Sequence, residues 1–107
     1  AITSDRTITL PAPVAGATFK FIYAGAAEEA QNLIIVTPGN ANFFLGNVQH
    51  LDTNADNVGV YANGSSNSKL TLTDFGSMEI NIVAKDSTNY YIWGNVVSED
   101  APAFADQ

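Results

Sequence analysis

The chain contains no cysteine, and this absence excludes several kinds of chemistry at once. Without thiols there is no disulfide framework, no thiolate nucleophile and no zinc site built on thiolate ligands. The 107 residues must therefore be held together by one core without covalent cross-links, and a chain of this length is sufficient for that. The absence leaves the cellular compartment open, because a protein without cysteine is stable in either redox environment.

Positive charge is also scarce. Four Lys and Arg residues stand against 11 Asp and Glu residues, which gives a net charge of −7. The basic residues are scattered along the chain at Arg6, Lys20, Lys69 and Lys85. No basic stripe is available to neutralise phosphates, so we expect no nucleic acid among the partners. An anionic membrane surface would repel the chain for the same reason.

The total fraction of charged residues, positive and negative together, is low as well. Charged residues make up 14% of the chain, against about 25% in a typical soluble domain. Asn, Thr, Ser, Ala and Gly take their place, while 46% of the residues are hydrophobic. A surface with so little charge favours the prediction that partner subunits cover part of it, and an uncharged monomer surface is the alternative.

Long hydrophobic runs are missing. The apolar segments are short, as in Leu33–Val36, and fall far below the roughly 20 residues that span a bilayer. The first residues, AITSDRTITL, lack the basic region and apolar stretch of a signal peptide. We therefore expect neither a membrane span nor a secretion signal in this sequence.

Short strands separated by turn residues make up most of the chain. The alternation of apolar and polar residues predicts strands at Thr7–Leu10, Ala17–Tyr23, Leu33–Thr37, Phe43–Leu51, Asn57–Ala62, Lys69–Phe75, Ser77–Ala84 and Asn89–Val97. The loop Asn63–Ser68 is interpreted as a hairpin connection, and Ala24–Gln31 offers at most one helical turn. The predicted fold class is all-β: an antiparallel, jelly-roll-like β-sandwich of about eight short strands.

The same pattern of predicted strands divides the chain into three parts. Residues 1–6 are expected to form an N-terminal arm, and residues 7–97 a single β-sandwich domain. Residues 98–107, SEDAPAFADQ, are acidic and without periodicity. They are interpreted as a C-terminal tail, either a flexible end or an arm that docks on a neighbour.

The usual catalytic groups are few. The only histidine is His50, and Asp52 shares its face if both lie on one strand. No G-x-S-x-G elbow supplies a nucleophile, so His50 is interpreted as a surface or interface residue. The adjacent acidic pairs Glu28–Glu29 and Glu99–Asp100 are interpreted as solvated charges rather than a carboxylate pair across a cleft. We expect no catalysis and no cofactor.

The segment Asp52–Asn57 has the most specific spacing in the chain. Asp52, Asn54 and Asp56 match the first three ligand positions of an EF-type calcium loop. Asn57 then stands where that loop has Gly, and Asn63 where it has Glu. A calcium site at Asp52, Asn54 and Asp56 is therefore one hypothesis, and an Asx-rich turn is the alternative.

Aromatic residues suggest a second binding hypothesis. Tyr61, Tyr90, Tyr91 and Trp93 lie in predicted strands, and exposed rings on a sandwich can stack on sugar faces. Successive strand residues alternate between faces, so Tyr91 and Trp93 are expected on one face and Tyr90 on the other. One of these sets is expected in the core.

Several segments resemble small β-domains of tailed-phage virions, above all the capsid decoration (cement) proteins and related appendage modules. They are TITLPAPVAGATFKFIYAGA, NLIIVTP, FFLG and NYYIWGNVV, within residues 7–97. The residues that carry the resemblance are Thr9, Leu10, Pro11, Gly16, Phe19, Phe21, Trp93 and Gly94. They form a strand ending in T-L-P, an aromatic strand after Gly, and a late strand with an aromatic before Gly.

The resemblance implies a structural role on the virion. Members of that family commonly assemble as trimers and clamp neighbouring subunits of the major capsid protein, so a homotrimer on the capsid surface is expected. No contact residue follows a fixed motif, and none is transferred to this chain. The alternative is a host- or glycan-binding appendage domain, fibre-like or lectin-like.

Overall fold

Two β-sheets form the fold in the computed structural model, which describes residues 2–25, 28–54 and 57–107. The strands in chain order are β1 (Arg6–Thr9), β2 (Thr18–Tyr23), β3 (Leu33–Val36), β4 (Phe43–Asp52), β5 (Val58–Asn63), β6 (Lys69–Leu72), β7 (Met78–Ala84), β8 (Asn89–Ser98) and β9 (Ala103–Ala105). Across these ranges there is no helix, and hence none long and apolar enough to cross a membrane. The predicted all-β class is confirmed.

The strands divide into a smaller and a larger sheet. The smaller has the order β1-β3-β6-β9, and the larger the order β2-β7-β8-β4-β5. The β-sandwich is thus confirmed, but both sheets are mixed, because β1 pairs with β3 and β4 pairs with β8 in parallel. Parallel neighbours need a crossover connection, which strand patterns along the sequence do not reveal.

Alternation of side chains places the core between the sheets. In β7, Met78, Ile80 and Ile82 are buried while Glu79 is exposed, as expected for a strand with one covered face. The larger core side chains come from both sheets and are at most 2% exposed: Leu10, Ile35, Phe44, Val48, Leu70, Leu72, Ile80, Ile82, Tyr90, Ile92 and Val96. Their burial is the main favourable contribution to folding.

The C-terminal residues belong to the smaller sheet, which differs from the expected tail. Strand β9 pairs with β6, and Pro102 before it is buried. The main-chain N–H of Gln107 donates to the hydroxyl of Ser68 (2.9 Å). The segment carries only one large apolar side chain, Phe104, so its sequence pattern is too short to predict a strand.

The loop Asn63–Ser68 is not a hairpin, which corrects the sequence interpretation. Strand β5 before it lies at one end of the larger sheet, whereas β6 after it lies inside the smaller one. The carbonyl oxygen of the Asn63 side chain accepts N–H groups from Ser65 and Ser66 (both 2.9 Å). This local bonding turns the chain, but the same turn residues serve a hairpin and a crossing between sheets equally well.

Residues 2–5 lie against the domain. The side chain of Ile2 packs on the core, and its N–H donates to the buried carboxylate of Glu29 (3.3 Å). The carboxylate of Asp5 accepts the N–H of Asn32 (2.9 Å). These bonds attach the residues that precede β1, and β1 itself pairs with β3 in parallel.

Two glycines allow the central strands of the larger sheet to approach each other closely. Gly46 in β4 has φ +134° and Gly94 in β8 has φ +154°, values that L side chains rarely adopt. A Cβ atom at Gly94 would overlap the carbonyl oxygen of Glu79, and one at Gly46 would overlap that of Ile92. Neither backbone oxygen can move without breaking the ladder.

We expect Gly94→Ala to destabilise the protein by at least about 2 kcal/mol, since it combines backbone strain with a steric overlap. Gly39→Ala is the matched control, because an added Cβ there meets nothing within 4 Å. Its effect should stay within about 0.5 kcal/mol. Urea unfolding of both variants measures the difference, and equal midpoints would contradict this account of Gly94.

Tyr90 connects the core to the loop after β1. Its ring is fully buried and its hydroxyl donates to the carbonyl oxygen of Pro11. Burial raises the pKa of Tyr90 above the ordinary value of 10.0, because the phenolate would be poorly solvated there. The unfolded chain therefore ionises first, so this contribution to stability is complete below pH 10 and is lost as the pH rises further.

Tyr90→Phe should lower the free energy of unfolding by about 1–2 kcal/mol at neutral pH, since the carbonyl of Pro11 loses its donor. Above pH 10 the gap to the wild type should narrow, because the variant has no phenol to ionise at this position. Thermal melts between pH 7 and pH 11 provide the measurement. A gap that stays constant would show that Tyr90 does not titrate with unfolding.

Candidate functional site

The outer face of the larger sheet carries the exposed aromatic rings. Tyr91 and Trp93 in β8 are 46% and 45% exposed, and Tyr61 in β5 is 77% exposed. Tyr90 and Ile92, which alternate with them, are fully buried. The predicted division of β8 into a core face and a free face is confirmed, with Tyr91 and Trp93 on the free one.

Strand register places two of these rings in one row across the sheet. Trp93 pairs with Asn81 of β7 on one side and with Asn47 of β4 on the other. Asn47 in turn pairs with Tyr61, and Asn81 with Lys20 of β2. The row Lys20–Asn81–Trp93–Asn47–Tyr61 therefore crosses all strands of this sheet in order. We call it the aromatic row.

Amide side chains occupy the positions between and beside the rings. Asn47 lies between Trp93 and Tyr61, and Asn95 lies two residues beyond Trp93 on the same face. Neither amide has a hydrogen-bond partner among the described residues, so both are available to a ligand. The Asn81 amide donates to the carboxylate of Glu79 (3.2 Å). Sequence reasoning missed the amides, because only the register shows which residues lie beside the rings.

The face carries almost no net charge. Along the outward positions of its strands, Lys20 and Glu79 are the charged residues, and their charged groups lie 3.9 Å apart. Both side chains are about half exposed, so water screens the pair and its contribution to stability is small. The pair nevertheless cancels the charge at this end of the aromatic row.

His50 is buried rather than at the surface, which corrects its interpretation. It lies on the inward face of β4 and is 2% exposed. Its Nε2 lies 3.0 Å from the carbonyl oxygen of Ser98, so this nitrogen carries the proton and donates. The hydroxyl of Ser98 donates to the carbonyl of Asp100 instead (2.6 Å). The contact holds β8 to β4 and activates no nucleophile.

The two acidic pairs have different environments. Glu99 and Asp100 are exposed, as expected. Glu29 is only 7% exposed, which corrects the interpretation of Glu28–Glu29 as solvated charges. The Tyr23 hydroxyl donates to its carboxylate (2.8 Å), and this bond raises the pKa of Tyr23 because a phenolate could not donate. Glu29 therefore links the end of β2 at Tyr23 to Ile2 near the start of the chain.

Two of the three proposed calcium ligands, Asp52 and Asn54, are bonded to each other. The Asp52 carboxylate accepts the N–H of Asn54 (2.7 Å), and the Asn57 side chain accepts the N–H of Asp52 (3.0 Å). Asp56 lies outside the described residues. Within the described part of the chain no group of three or more His, Asp or Glu residues could hold a metal ion. The calcium site remains a prediction.

Comparison of the chain with protein-family models, with curated proteins and with solved structures gave no match. The described ranges 2–25, 28–54 and 57–107 contain no pocket. Exposed rings, available amides and near-zero charge occur together on the outer face of the larger sheet. That face is the candidate functional site.

We expect calcium to leave the melting temperature unchanged at millimolar concentration, because Oδ1 of Asp52 and Oδ1 of Asn57 already accept main-chain N–H groups. An ion that binds only the folded state would stabilise it by RT ln(1 + L/Kd), where L is the free ion concentration, and would so raise the melting temperature. Differential scanning fluorimetry with calcium and with EDTA tests this. A rise that Asp52→Asn abolishes would establish the calcium site.

Proposed function

We propose that this chain is a structural subunit of a tailed-phage virion that decorates and stabilises the capsid, without catalysis. In this role it sits on the capsid surface as a homotrimer and bridges neighbouring subunits of the major capsid protein. The observation that carries the proposal is an open, apolar edge of the larger sheet, at β2.

Strand β2 ends the larger sheet, and β7 is its single partner among the strands that the structure describes. The strand at the opposite end, β5, also lies next to β9 of the other sheet. Two large aliphatic side chains are exposed at β2 and the loop before it: Ile22 (62%) and Val14 (69%). Lys20, the only charge on β2, is paired with Glu79. An edge without free charge favours pairing with another chain.

The low charge of the whole chain supports the same role. Interfaces between subunits are depleted in charged residues at their centres, and only 14% of this chain is charged. A decoration subunit contributes one modest contact at each junction of the shell, and the contacts add up over the symmetric lattice. Strong single-site affinity is not required.

Several of the residues that carry the resemblance to decoration proteins stabilise the fold of this chain. Leu10 is in the core, and the carbonyl of Pro11 accepts the Tyr90 hydroxyl. Gly94 permits the close approach of β7 and β8. Trp93 is the one large side chain of this set that is exposed, and it lies away from β2 on the outer face of the larger sheet. The alternative, a host- or glycan-binding appendage domain, also remains a proposal.

Light scattering coupled to size exclusion should give a mass close to three times 11.3 kDa. Ile22→Lys should dissociate the trimer, because a lysine ammonium would lose its water at a β2 interface. Val58→Lys is the matched control: Val58 is 49% exposed on the opposite end strand, and the trimer should persist.

The same proteins are then mixed with undecorated capsids of the phage that encodes the chain. The wild type should co-sediment stoichiometrically and raise the capsid melting temperature, whereas Ile22→Lys should bind less. A monomer that fails to bind these capsids would contradict the proposed function.

A further inference from the structure

We propose that the aromatic row binds a neutral glycan chain, which lies across the strands and stacks sugar rings on Trp93 and Tyr61. This inference goes beyond the structural role and does not depend on it. A decoration subunit attached through β2 would leave the middle of this face free.

The two rings have the exposure that stacking requires. Tyr61 is 77% exposed and Trp93 is 45% exposed, although both lie within regular strands. Exposed aromatic surface is costly in water, and such side chains are typical of binding sites. Pyranoses with equatorial hydroxyls present flat faces of C–H groups, which pack on aromatic rings while their hydroxyls point outward to hydrogen-bond donors and acceptors.

The separation of the rings suits an extended chain. Trp93 and Tyr61 are two strands apart in register, through Asn47, which corresponds to roughly 9–10 Å. This distance leaves space for one sugar between two stacked sugars in an extended glycan. The Asn47 amide lies under that middle sugar, where it can donate to one hydroxyl and accept from another.

The charge of the face favours a neutral ligand. Its outward-facing charges, Lys20 and Glu79, lie 3.9 Å apart and cancel each other, so the face has no net positive charge to attract a carboxylate or sulfate on a sugar. An acidic glycan would also be repelled by the net charge of −7. Amides and rings without free charge match a ligand whose polar groups are hydroxyls.

The first experiment uses the only tryptophan of the chain, Trp93, as a reporter at the centre of the row. The whole protein is titrated with neutral oligosaccharides of the cello-, manno-, xylo- and laminari- series, from di- to hexasaccharides. We expect a saturable change in Trp93 fluorescence with at least one series, and at least tenfold tighter binding of the tetrasaccharide than of the disaccharide.

Variants then locate the site by affinity electrophoresis in gels containing the corresponding soluble polysaccharide. Tyr61→Ala and Trp93→Ala should each weaken binding at least tenfold, and Asn47→Ala several-fold. Val58→Ala is the matched control, since it also removes exposed apolar surface but lies on the opposite face of β5 from Tyr61. Circular dichroism verifies that each variant remains folded.

The variant Tyr91→Ala tests whether the glycan runs across the strands or along β8. Tyr91 lies two residues from Trp93 along β8, outside the aromatic row. A glycan that crosses the strands should lose more from Tyr61→Ala than from Tyr91→Ala, and the reverse order would overturn the proposed path. If all four series leave Trp93 fluorescence unchanged, or if trimerisation or capsid binding buries Trp93, the face is not a glycan site and the proposal is wrong.

Discussion

The parallel pairing of β4 with β8 is the interaction on which the rest of the structure depends. These two strands of 10 residues each lie side by side along their whole length in the larger sheet. Their inward side chains form the centre of the core, and their outward side chains form the centre of the candidate site. Gly46 makes the pairing possible, because a Cβ there would overlap the backbone of β8 at Ile92, and Gly94 does the same for the pairing of β8 with β7.

The pairing also explains why the position of His50 contradicted its sequence interpretation. His50 is carried into the core because it occupies an inward position of β4, and its bond to the Ser98 carbonyl joins the ends of β4 and β8. Ser98 is then held by Asp100, before the chain enters β9. Successive hydrogen bonds thus connect the buried His50 to Ser98, and Ser98 to Asp100 in the acidic C-terminal segment.

The two proposed roles use different parts of the same sheet. Assembly requires the end strand β2, with Ile22 and the neighbouring Val14, whereas glycan binding requires Trp93, Asn47 and Tyr61 on strands β8, β4 and β5. This separation is physically reasonable, because a sheet edge binds through main-chain groups and a sheet face binds through side chains. A single small domain can therefore carry both surfaces.

The sequence by itself determined the fold class, most of the strands and the division of β8 into one face with Tyr90 and Ile92 and another with Tyr91 and Trp93, but not which face is buried. Local alternation is sufficient for this, because each strand records its own two faces. Only the tertiary structure decided the strand partners, including the crossing between β5 and β6 and the addition of β9 to β6. It also decided that Asn47 lies between Trp93 and Tyr61. These pairings join residues far apart in the chain, and their energy comes from contacts that no local pattern encodes.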